Sequence, residues 1–234
     1  MKIGILGGTG NMGRGLTIRL ALEHNILLGS RSLEKAGRIA KNLNNIARGF
    51  YLDEMHGTIK GVMNVKAIKD SEVVIITLPA KHSLSTLKDL KDQFSPEKVV
   101  VSTVVPMTRK KKLFYWTPLE ERDDPGFQGR SASEAIQDIV EPSPVITAFQ
   151  TVPAAYLNNI DAVLNVDVLI AGNHKLALAK VSKLVRDIPN LRPLRVGPLI
   201  NSKWIESLTP LLLNAAVLNG LHDPTIRVIP WMPS

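Results

Sequence analysis

The chain has 234 residues, of which 44% are hydrophobic and 21% are charged, and it carries a formal net charge of +8 and no cysteine. These proportions are typical of a globular protein and exclude a disordered one, while the absence of cysteine excludes disulfides and thiolate metal sites. The positive charge suits a polyanionic partner, either a phosphorylated cofactor or a nucleic acid. Because only residues 109–112 form a basic run and no aromatic platform accompanies it, we expect cofactors and no nucleic acid.

The distribution of hydrophobic residues predicts the location of the protein and its domains. No apolar run reaches the roughly 18 residues that a membrane-spanning helix requires, and the first residues are those of a strand rather than of a signal peptide. We therefore expect a soluble, cytoplasmic protein with no membrane partner. A chain of this length buries a substantial core, and we predict one domain over residues 1–200 and a small C-terminal part over 201–234.

A glycine-rich turn between a strand and a helix begins the chain. The apolar run 3–6 is typical of a buried parallel strand, and residues 8–13 (Gly-Thr-Gly-Asn-Met-Gly) fit the pattern G-x-G-x-x-G. In this context the pattern is the fingerprint of dinucleotide binding, since Gly8 permits the turn, Gly10 lets a pyrophosphate approach and Gly13 lets the helix pack on the sheet. Backbone N–H groups and the helix dipole then attract the phosphates. The alternative is a turn without a ligand.

The end of the second predicted strand, 26–28, indicates which dinucleotide binds. Enzymes that prefer NAD usually place an Asp or Glu here, about twenty residues beyond the fingerprint, to hold the ribose hydroxyl. This chain has Ser30 and Arg31 at that position and Lys35 one helical turn further on. A carboxylate would repel a ribose phosphate, whereas a hydroxyl, a guanidinium and an ammonium attract one. The alternative is a solvated helix start, where the dipole disfavours cations, so the sequence predicts NADP.

Strands alternate with helices along the rest of the chain, which predicts βαβ units, a mostly parallel sheet and helices on both of its faces, as in a Rossmann-type α/β fold. Further strands are predicted at 58–65, 70–77, 99–102, 144–149, 167–170 and 192–196, and the tail at 226–229 can add another. Helices are predicted from the fingerprint to residue 24 and at 33–43, 131–140, 175–187 and 201–220. Pro193 favours an edge position for its strand. The polar stretches 47–56 and 108–130 are predicted as loops, and the second is long enough to act as a lid or binding loop.

Three predicted strands end in a short apolar turn that contains a proline, at 77–79, 104–106 and 151–153. Ligands of such sheets bind at the carboxyl ends of the strands, so these turns predict a dry, rigid and uncharged pocket floor. Prolines also commonly end strands, so each turn alone carries little weight. Beyond the first turn, His82 either contacts the nicotinamide or lies on a helix surface.

The predicted helix 201–220 differs from the others in its second half. Asn201 or Ser202 can cap its start and Gly220 can end it. The second half is apolar nearly all round, which favours burial by a partner subunit as well as by the domain. Pro210 is expected to kink the helix or to open a hydrogen-bond gap near Glu206.

No catalytic motif accompanies the fingerprint. The chain has no HExxH, no G-x-S-x-G and no clustered metal-ligand spacing, so we expect neither a metal nor an essential acid–base residue. Chemistry carried by a bound nicotinamide cofactor agrees with this absence, because the cofactor supplies the reactivity and the protein binds and aligns it.

Seven short segments, spread over nearly the whole chain, resemble those of a known family. The segments 7–15, 29–31, 77–79, 104–106, 151–155, 197–202 and 206–210 resemble, in the same order, those of the coenzyme F420-dependent NADP oxidoreductases. The resemblance implies a Rossmann domain with a small C-terminal part, usually a homodimer, that moves a hydride between the reduced deazaflavin coenzyme F420 and NADP.

The same resemblance implies roles for individual residues. The ribose phosphate would be held by Thr9, Ser30, Arg31 and Lys35, and the pyrophosphate by Gly10, Asn11 and Met12. The turn of Thr77, Leu78 and Pro79 would lie near the nicotinamide, together with His82. The deazaflavin pocket would be formed by Val105, Pro106, Met107, Thr151, Val152, Pro153 and Ala154.

The resemblance has one departure and leaves two rivals. Gln150 stands where some members have a histidine, and it can supply a hydrogen bond but no change of charge. An NADP-dependent reductase of a small imine or carbonyl compound is one rival, although it would need a polar pocket for its substrate. A non-catalytic NADPH-sensing module whose C-terminal helix binds a partner is the other.

Overall fold

The computed structural model describes residues 1–119 and 129–230. Its strands are β1 (Lys2–Leu6), β2 (Asn25–Ser30), β3 (Thr58–Met63), β4 (Val73–Ile76), β5 (Val99–Ser102), β6 (Met107–Lys110), β7 (Leu113–Trp116), β8 (Val145–Thr147), β9 (Val166–Gly172) and β10 (Leu191–Arg195). Its α-helices are α1 (Asn11–Leu20), α2 (Leu33–Tyr51), α3 (Asn64–Lys69), α4 (Ala80–Lys88), α5 (Ala132–Val140), α6 (Ala154–Asn158), α7 (Lys175–Arg186) and α8 (Ser202–Asn219).

Eight of the described strands form one sheet in the order β10-β9-β8-β5-β4-β1-β2-β3, and every neighbouring pair is parallel except β8 and β9. The predicted Rossmann-type sheet is therefore confirmed. The strand that contains Pro193 lies at one edge, where the missing N–H group costs no ladder bond to a further strand.

Two hydrophobic cores cover the two faces of the sheet, which is why the central strands are apolar at nearly every position. Ile5 and Ile75 face each other in register and belong to the core that includes α1, α2 and α7. The next pair, Leu6 and Ile76, belongs to the opposite core with α3, α4 and α5. Successive side chains point to opposite faces, so both sides of β1 and β4 are fully buried.

Several boundaries differ from the predictions. The first helix ends at Leu20 and not at 24, and α2 continues to Tyr51, so the predicted loop at 47–56 is wrong over its first part. Ala47 and Tyr51 are buried at helical spacing beyond Leu43, and they extend the apolar stripe of α2 onto the sheet. The third strand is shorter than predicted, because α3 begins directly after it.

The predicted loop at 108–130 is wrong for its first part, which is an antiparallel hairpin of β6 and β7. Two residues of the basic run, Arg109 and Lys110, lie on β6, and this strand is exposed at every position, so no alternation of apolar and polar residues marks it in the sequence. The hairpin packs on α8, where the side chain of Asn214 accepts from the Phe114 N–H at 2.7 Å and donates to the Phe114 carbonyl at 2.8 Å. Residues 120–128 of the predicted loop lie outside the described residues.

The predicted strand at 226–229 is also wrong. The tail has one backbone bond to β9, from the Asp167 N–H to the Ile226 carbonyl at 3.0 Å, and is otherwise held by side chains. Arg192 donates to both carboxylate oxygens of Asp167 at 2.7 Å and also to the Val228 carbonyl at 2.7 Å. The buried carboxylate in turn accepts from the Val228 N–H at 2.6 Å. Side-chain bonds thus replace the ladder that a strand would form.

The long C-terminal helix begins and ends close to the predicted positions. Gly220 ends α8 in the left-handed conformation at φ +66°, as expected of a C-terminal glycine. Asn201 occupies the N-cap position without a side-chain cap, since its side-chain amide donates to the Val196 carbonyl at 2.6 Å. Pro210 lies inside the helix, and its effect near Glu206 stays a prediction. Within the described ranges, no helix is long and apolar enough to cross a membrane.

Candidate active site

A cleft of about 850 Å³ lies at the carboxyl ends of the central strands. This volume is within the range of small-molecule and cofactor sites. One wall is formed by the turn between β1 and α1 and by the start of α2, and the opposite wall by the turns that follow β4, β5 and β8. The second half of α8 and the tail complete the lining.

The turn between β1 and α1 is built for a close approach of a ligand to the backbone. Gly7 has φ +75°, and its carbonyl accepts from the Gly10 N–H at 2.9 Å, which closes the turn. A Cβ at Gly13 would lie 2.5 Å from the Cα of Gly8, so the helix packs on the turn only because this residue is glycine. Gly10 is the N-cap of α1 and supplies no side-chain cap, which leaves the first amides of the helix for an anion.

The end of the cleft beside β2 carries hydroxyls and cations. Ser30 is buried and its Oγ accepts from the Ser32 N–H at 3.2 Å, while the Oγ of Ser32 caps α2 by accepting from the Lys35 N–H at 3.2 Å. Arg31 and Lys35 are exposed and line the cleft. Among the described lining residues at this end there is no carboxylate.

In the opposite part of the cleft, two threonine hydroxyls bind the backbone of the neighbouring strands. The Oγ1 of Thr77 donates to the Leu6 carbonyl at 2.8 Å, and the Oγ1 of Thr103 donates to the Ile76 carbonyl at 3.0 Å. Each threonine therefore ties one strand end to its neighbour and leaves its methyl group for the cleft. The three turns contribute no charged side chain to the lining, and the rigidity and dryness of the pocket floor stay predictions.

The turn after β8 includes a strained residue. Phe149 is buried at φ +74°, a conformation that is rare for a bulky side chain and is typical of functional sites. The next residue, Gln150, lines the cleft at 5% exposure, and its Nε2 donates to the Ser102 carbonyl at 2.8 Å. Its Oε1 is buried without a hydrogen-bond partner. The amide is thus anchored at its nitrogen, and its oxygen can still accept one bond.

The structure brings most of the predicted site residues together. The lining includes Thr9, Gly10, Asn11, Met12, Ser30, Arg31, Lys35, Thr77, Leu78, Pro79, Val105, Met107, Thr151, Val152, Pro153 and Ala154. Three predicted residues lie elsewhere. Gly8 is buried beneath the turn, where its N–H donates to the Gly29 carbonyl at 3.2 Å. Pro106 is buried, and His82 is exposed on α4 outside the lining.

Sequence reasoning missed the part of the lining that comes from distant segments. The missed residues are Asn64, Thr103, Gln150, Thr209, Leu212, Leu213, Asp223 and Pro224, whereas Val104 belongs to the predicted pocket floor at 104–106. The apolar half of α8 predicts an interface and also forms a cleft wall. The tail reaches the cleft because the Oγ1 of Thr225 donates to the Thr151 carbonyl at 2.7 Å. The only sequence signal at Gln150 is that some members of the resembled family have a histidine there.

Glu206 joins the C-terminal helix to the domain without lining the cleft. Its carboxylate is fully buried and accepts from the N–H groups of Ala132 and Ser133 at 2.9 and 3.1 Å, and from the Ser133 hydroxyl at 3.0 Å. The Trp116 indole N–H of the hairpin lies 3.5 Å away. Burial raises the pKa of Glu206 to about 7, against the opposing effect of these donors.

Metal ligation has no support in the described part of the chain. Within residues 1–119 and 129–230, no group of three His, Cys, Asp or Glu side chains is placed to hold a metal ion. The side chains that line the cleft offer hydrogen bonds, charge and apolar contact.

Comparisons with known proteins agree with this geometry. The family model for coenzyme F420-dependent NADP oxidoreductases matches residues 2–106. The F420-dependent NADP reductase of Methanocaldococcus jannaschii is 37% identical over 234 residues, which cover 97% of this chain and 98% of the relative. The enzyme of the same name from Methanothermobacter marburgensis is 32% identical over 235 residues, with 97% and 98% covered.

A solved structure shares the fold. It comes from Arthrobacter sp. FB24, is provisionally described as an F420-dependent NADP reductase, and superposes with a TM-score of 0.71 at 20% identity over 94% of this chain and 95% of the other. This likeness supports the architecture, while the near end-to-end match to the M. jannaschii protein identifies the relationship. The chain belongs to the family of F420-dependent NADP reductases.

Proposed function

We propose that this protein transfers a hydride reversibly between NADP and coenzyme F420 by holding the two rings face to face in the cleft. The observation that carries the proposal is that a single cleft joins a carboxylate-free basic end to three apolar strand-end turns. Membership of the family supports the identity of both coenzymes. The apolar turns also argue against a small imine substrate, which would need polar groups to hold it.

The lining residues would bind NADP with its pyrophosphate on the glycine-rich turn and its ribose phosphate at the basic end of the cleft. Thr9, Ser30, Arg31 and Lys35 would hold the ribose phosphate, since they combine hydroxyls and cations with no nearby carboxylate among the described lining. The pyrophosphate would lie on Gly10, Asn11 and Met12 at the start of α1. A Cβ at Gly10 would meet only the Gly7 carbonyl at 3.4 Å, so the backbone is open at this point.

The two rings would meet at the apolar end. The nicotinamide would lie against Thr77, Leu78 and Pro79, and His82 is at most a neighbour of this part because it lies outside the lining. The deazaflavin ring would pack against the turns that follow β5 and β8. These residues are Val105, Pro106, Met107, Thr151, Val152, Pro153 and Ala154.

The chain's own contribution is binding, alignment and exclusion of water. When bound, the two coenzymes supply the redox chemistry themselves. Thr77 and Thr103 keep their hydroxyls on backbone carbonyls, so the turns present apolar surface to the rings. We assign no catalytic acid or base, because alignment at about 3–3.5 Å is the main requirement of hydride transfer.

We also propose a homodimer in the cytoplasm, in which residues 1–200 form the NADP-binding domain and residues 201–234 serve dimerisation and closure of the pocket. Leu211 and Leu218 on α8 are 61% and 70% exposed in the single chain. Clustered exposed apolar side chains of this kind are typical of interaction surfaces. The chain has no cysteine and so needs no disulfide, which allows it to fold in the reducing cytoplasm.

The test mixes the purified protein with NADPH and oxidised coenzyme F420 and follows the visible absorbance of the deazaflavin, with NADH as the control. We expect rapid bleaching with NADPH and little with NADH. Absence of bleaching while NADPH binds tightly would overturn the proposed second coenzyme. Equal rates with both nucleotides would overturn the assignment of the basic end to the ribose phosphate.

A further inference from the structure

One side chain connects the two walls of the cleft. The Nδ2 of Asn158, the last residue of α6, donates to the Asn11 carbonyl at 2.8 Å and to the Ala154 carbonyl at 2.6 Å. Asn11 begins α1 and lines the cleft on the phosphate side, and Ala154 begins α6 and lines it on the opposite side. Asn158 itself does not line the cleft. Both hydrogens of one amide group are therefore used to join the two walls.

A second, separate set of contacts holds the bodies of α1 and α6 together. Arg19 of α1 is 5% exposed. Its guanidinium donates to four backbone carbonyls in α6 and in the residues that directly follow it. These acceptors are Tyr156 at 3.0 Å, Leu157 at 3.2 Å, Asn159 at 2.6 Å and Ala162 at 3.1 Å. A Cβ at Gly15 would lie 2.5 Å from the Cβ of Leu157, so the two helices touch directly at this glycine.

We propose that Asn158 is a positioning residue that sets the spacing between the phosphate-binding turn and the turn 151–154, and thereby the distance between the two reacting rings. The inference rests on the proposed hydride transfer. Arg19 and Gly15 hold the bodies of α1 and α6 together, whereas Asn158 acts at their cleft ends. Rates of such reactions depend steeply on alignment, and a misplacement of about 1 Å can cost on the order of a hundredfold.

Two variants and one control test this role. Asn158→Ala removes both hydrogen bonds, and Asn158→Asp keeps the shape but points a carboxylate oxygen at two carbonyl oxygens. Asn159→Ala is the matched control, because it changes the same residue type at the next position, where the side chain is exposed. With both coenzymes saturating, we expect kcat to fall roughly tenfold for Asn158→Ala and further for Asn158→Asp. The control should stay at the wild-type rate.

The decisive readouts separate alignment from stability and from binding. We expect the NADPH dissociation constant to change less than about threefold, and the isotope effect with NADPH deuterated at the transferred position to rise, as the transfer step limits turnover. A structural role alone would lower Tm and leave kcat and the isotope effect at 25 °C unchanged. That result, or a loss confined to NADPH affinity, would overturn the inference.

Failure of the proposed function would show separately, as an absence of turnover in the wild-type protein. Amide hydrogen exchange over residues 153–160 then tests, without any coenzyme F420, whether Asn158 joins the two walls of the cleft. Loss of protection in Asn158→Ala, with protection retained in Asn159→Ala, would support the connection between the walls. Equal protection in both variants would overturn it.

Discussion

Arg31 is the residue at which selection between the two nicotinamide nucleotides can be tested most directly. It lies beside Ser30 and Lys35 at the exposed end of the cleft. Arg31→Ala should weaken NADPH binding by about 1.5–3 kcal/mol, the scale of a hydrogen bond to a charged group, and barely change NADH binding. Titration of both nucleotides checks this, with Arg38→Ala on the exposed face of α2 as the control. Equal losses for both nucleotides would assign Arg31 to the fold.

Glu206 predicts how stability depends on pH. Its pKa in the folded protein is about 7, against 4.5 for an ordinary glutamate. Between these values the folded state keeps a proton that the unfolded state releases, so stability should fall as pH rises from 4.5 to 7 and then level off. The shift corresponds to at most about 3 kcal/mol at 1.36 kcal/mol per pH unit. This pH-dependent loss of stability requires a side chain at position 206 that can ionise.

Urea unfolding of Glu206→Gln across this pH range checks the prediction. The difference in unfolding free energy between wild type and variant should change with pH between 4.5 and 7 and be constant above 7. Glu34→Gln, at an exposed position of α2, is the control and should parallel the wild type. A parallel curve for Glu206→Gln would show that the buried carboxylate does not set this pH dependence.

At the scale of elements, the sequence predicted a strand, turn or helix correctly where the residues that determine it lie within one short segment. The turn between β1 and α1 could be predicted because its glycines and the flanking periodicity lie within one short segment. The same holds for the buried strands β4 and β5, whose continuous apolar runs have one explanation in a parallel sheet. The basic end of the cleft could be predicted from Ser30, the last residue of β2, and from Arg31, which directly follows it.

Elements that depend on distant partners could not be predicted. The hairpin of β6 and β7 exists because Asn214, one hundred residues away, bonds to Phe114 in both directions. The tail lies against β9 because of the buried pair of Asp167 and Arg192. Thr209 and the tail entered the cleft lining for the same reason, since no local pattern reveals which surface a terminal helix will cover.

The hairpin carries a prediction about the second coenzyme. Arg109 and the cleft-lining Met107 are two residues apart on β6 and therefore on the same face. We expect the basic run 109–112 to attract the acidic tail of the deazaflavin coenzyme. The double variant Arg109→Gln/Lys112→Gln should raise its KM and lower the sensitivity of KM to salt. The charge-matched control is Arg38→Gln/Lys41→Gln on α2, and an unchanged KM for the hairpin variant would contradict the assignment.

For the whole molecule, the composition of the cleft predicts the pH dependence of turnover. The ionisable side chains among the described residues that line it are Arg31, Lys35 and Asp223, and no histidine, glutamate or tyrosine is among them. With both coenzymes saturating, we therefore expect a shallow profile of kcat against pH near neutrality. Stopped-flow rates from about pH 6 to 8 measure it. A bell-shaped profile that loses one limb in a single-residue variant would require a proton-transfer group in the cleft.

The proposed homodimer is the largest scale on which α8 would act. Thr209, Leu212 and Leu213 line the cleft, whereas Leu211 and Leu218 are exposed on the same helix. A partner that covers these leucines would also support the cleft wall from behind. Dimer formation should therefore lower the KM of the deazaflavin coenzyme as well as hold two chains together.

Leu218→Arg tests this coupling, because an unpaired charge in an apolar interface opposes association. Sedimentation should show a monomer for this variant and a dimer for the wild type. Leu176→Arg is the control, since Leu176 is 75% exposed on α7, away from this helix. The deazaflavin KM should rise in the α8 variant and stay unchanged in the control. A dimer that survives Leu218→Arg would place the interface on another surface, and a monomer with an unchanged KM would show that the cleft wall needs no partner.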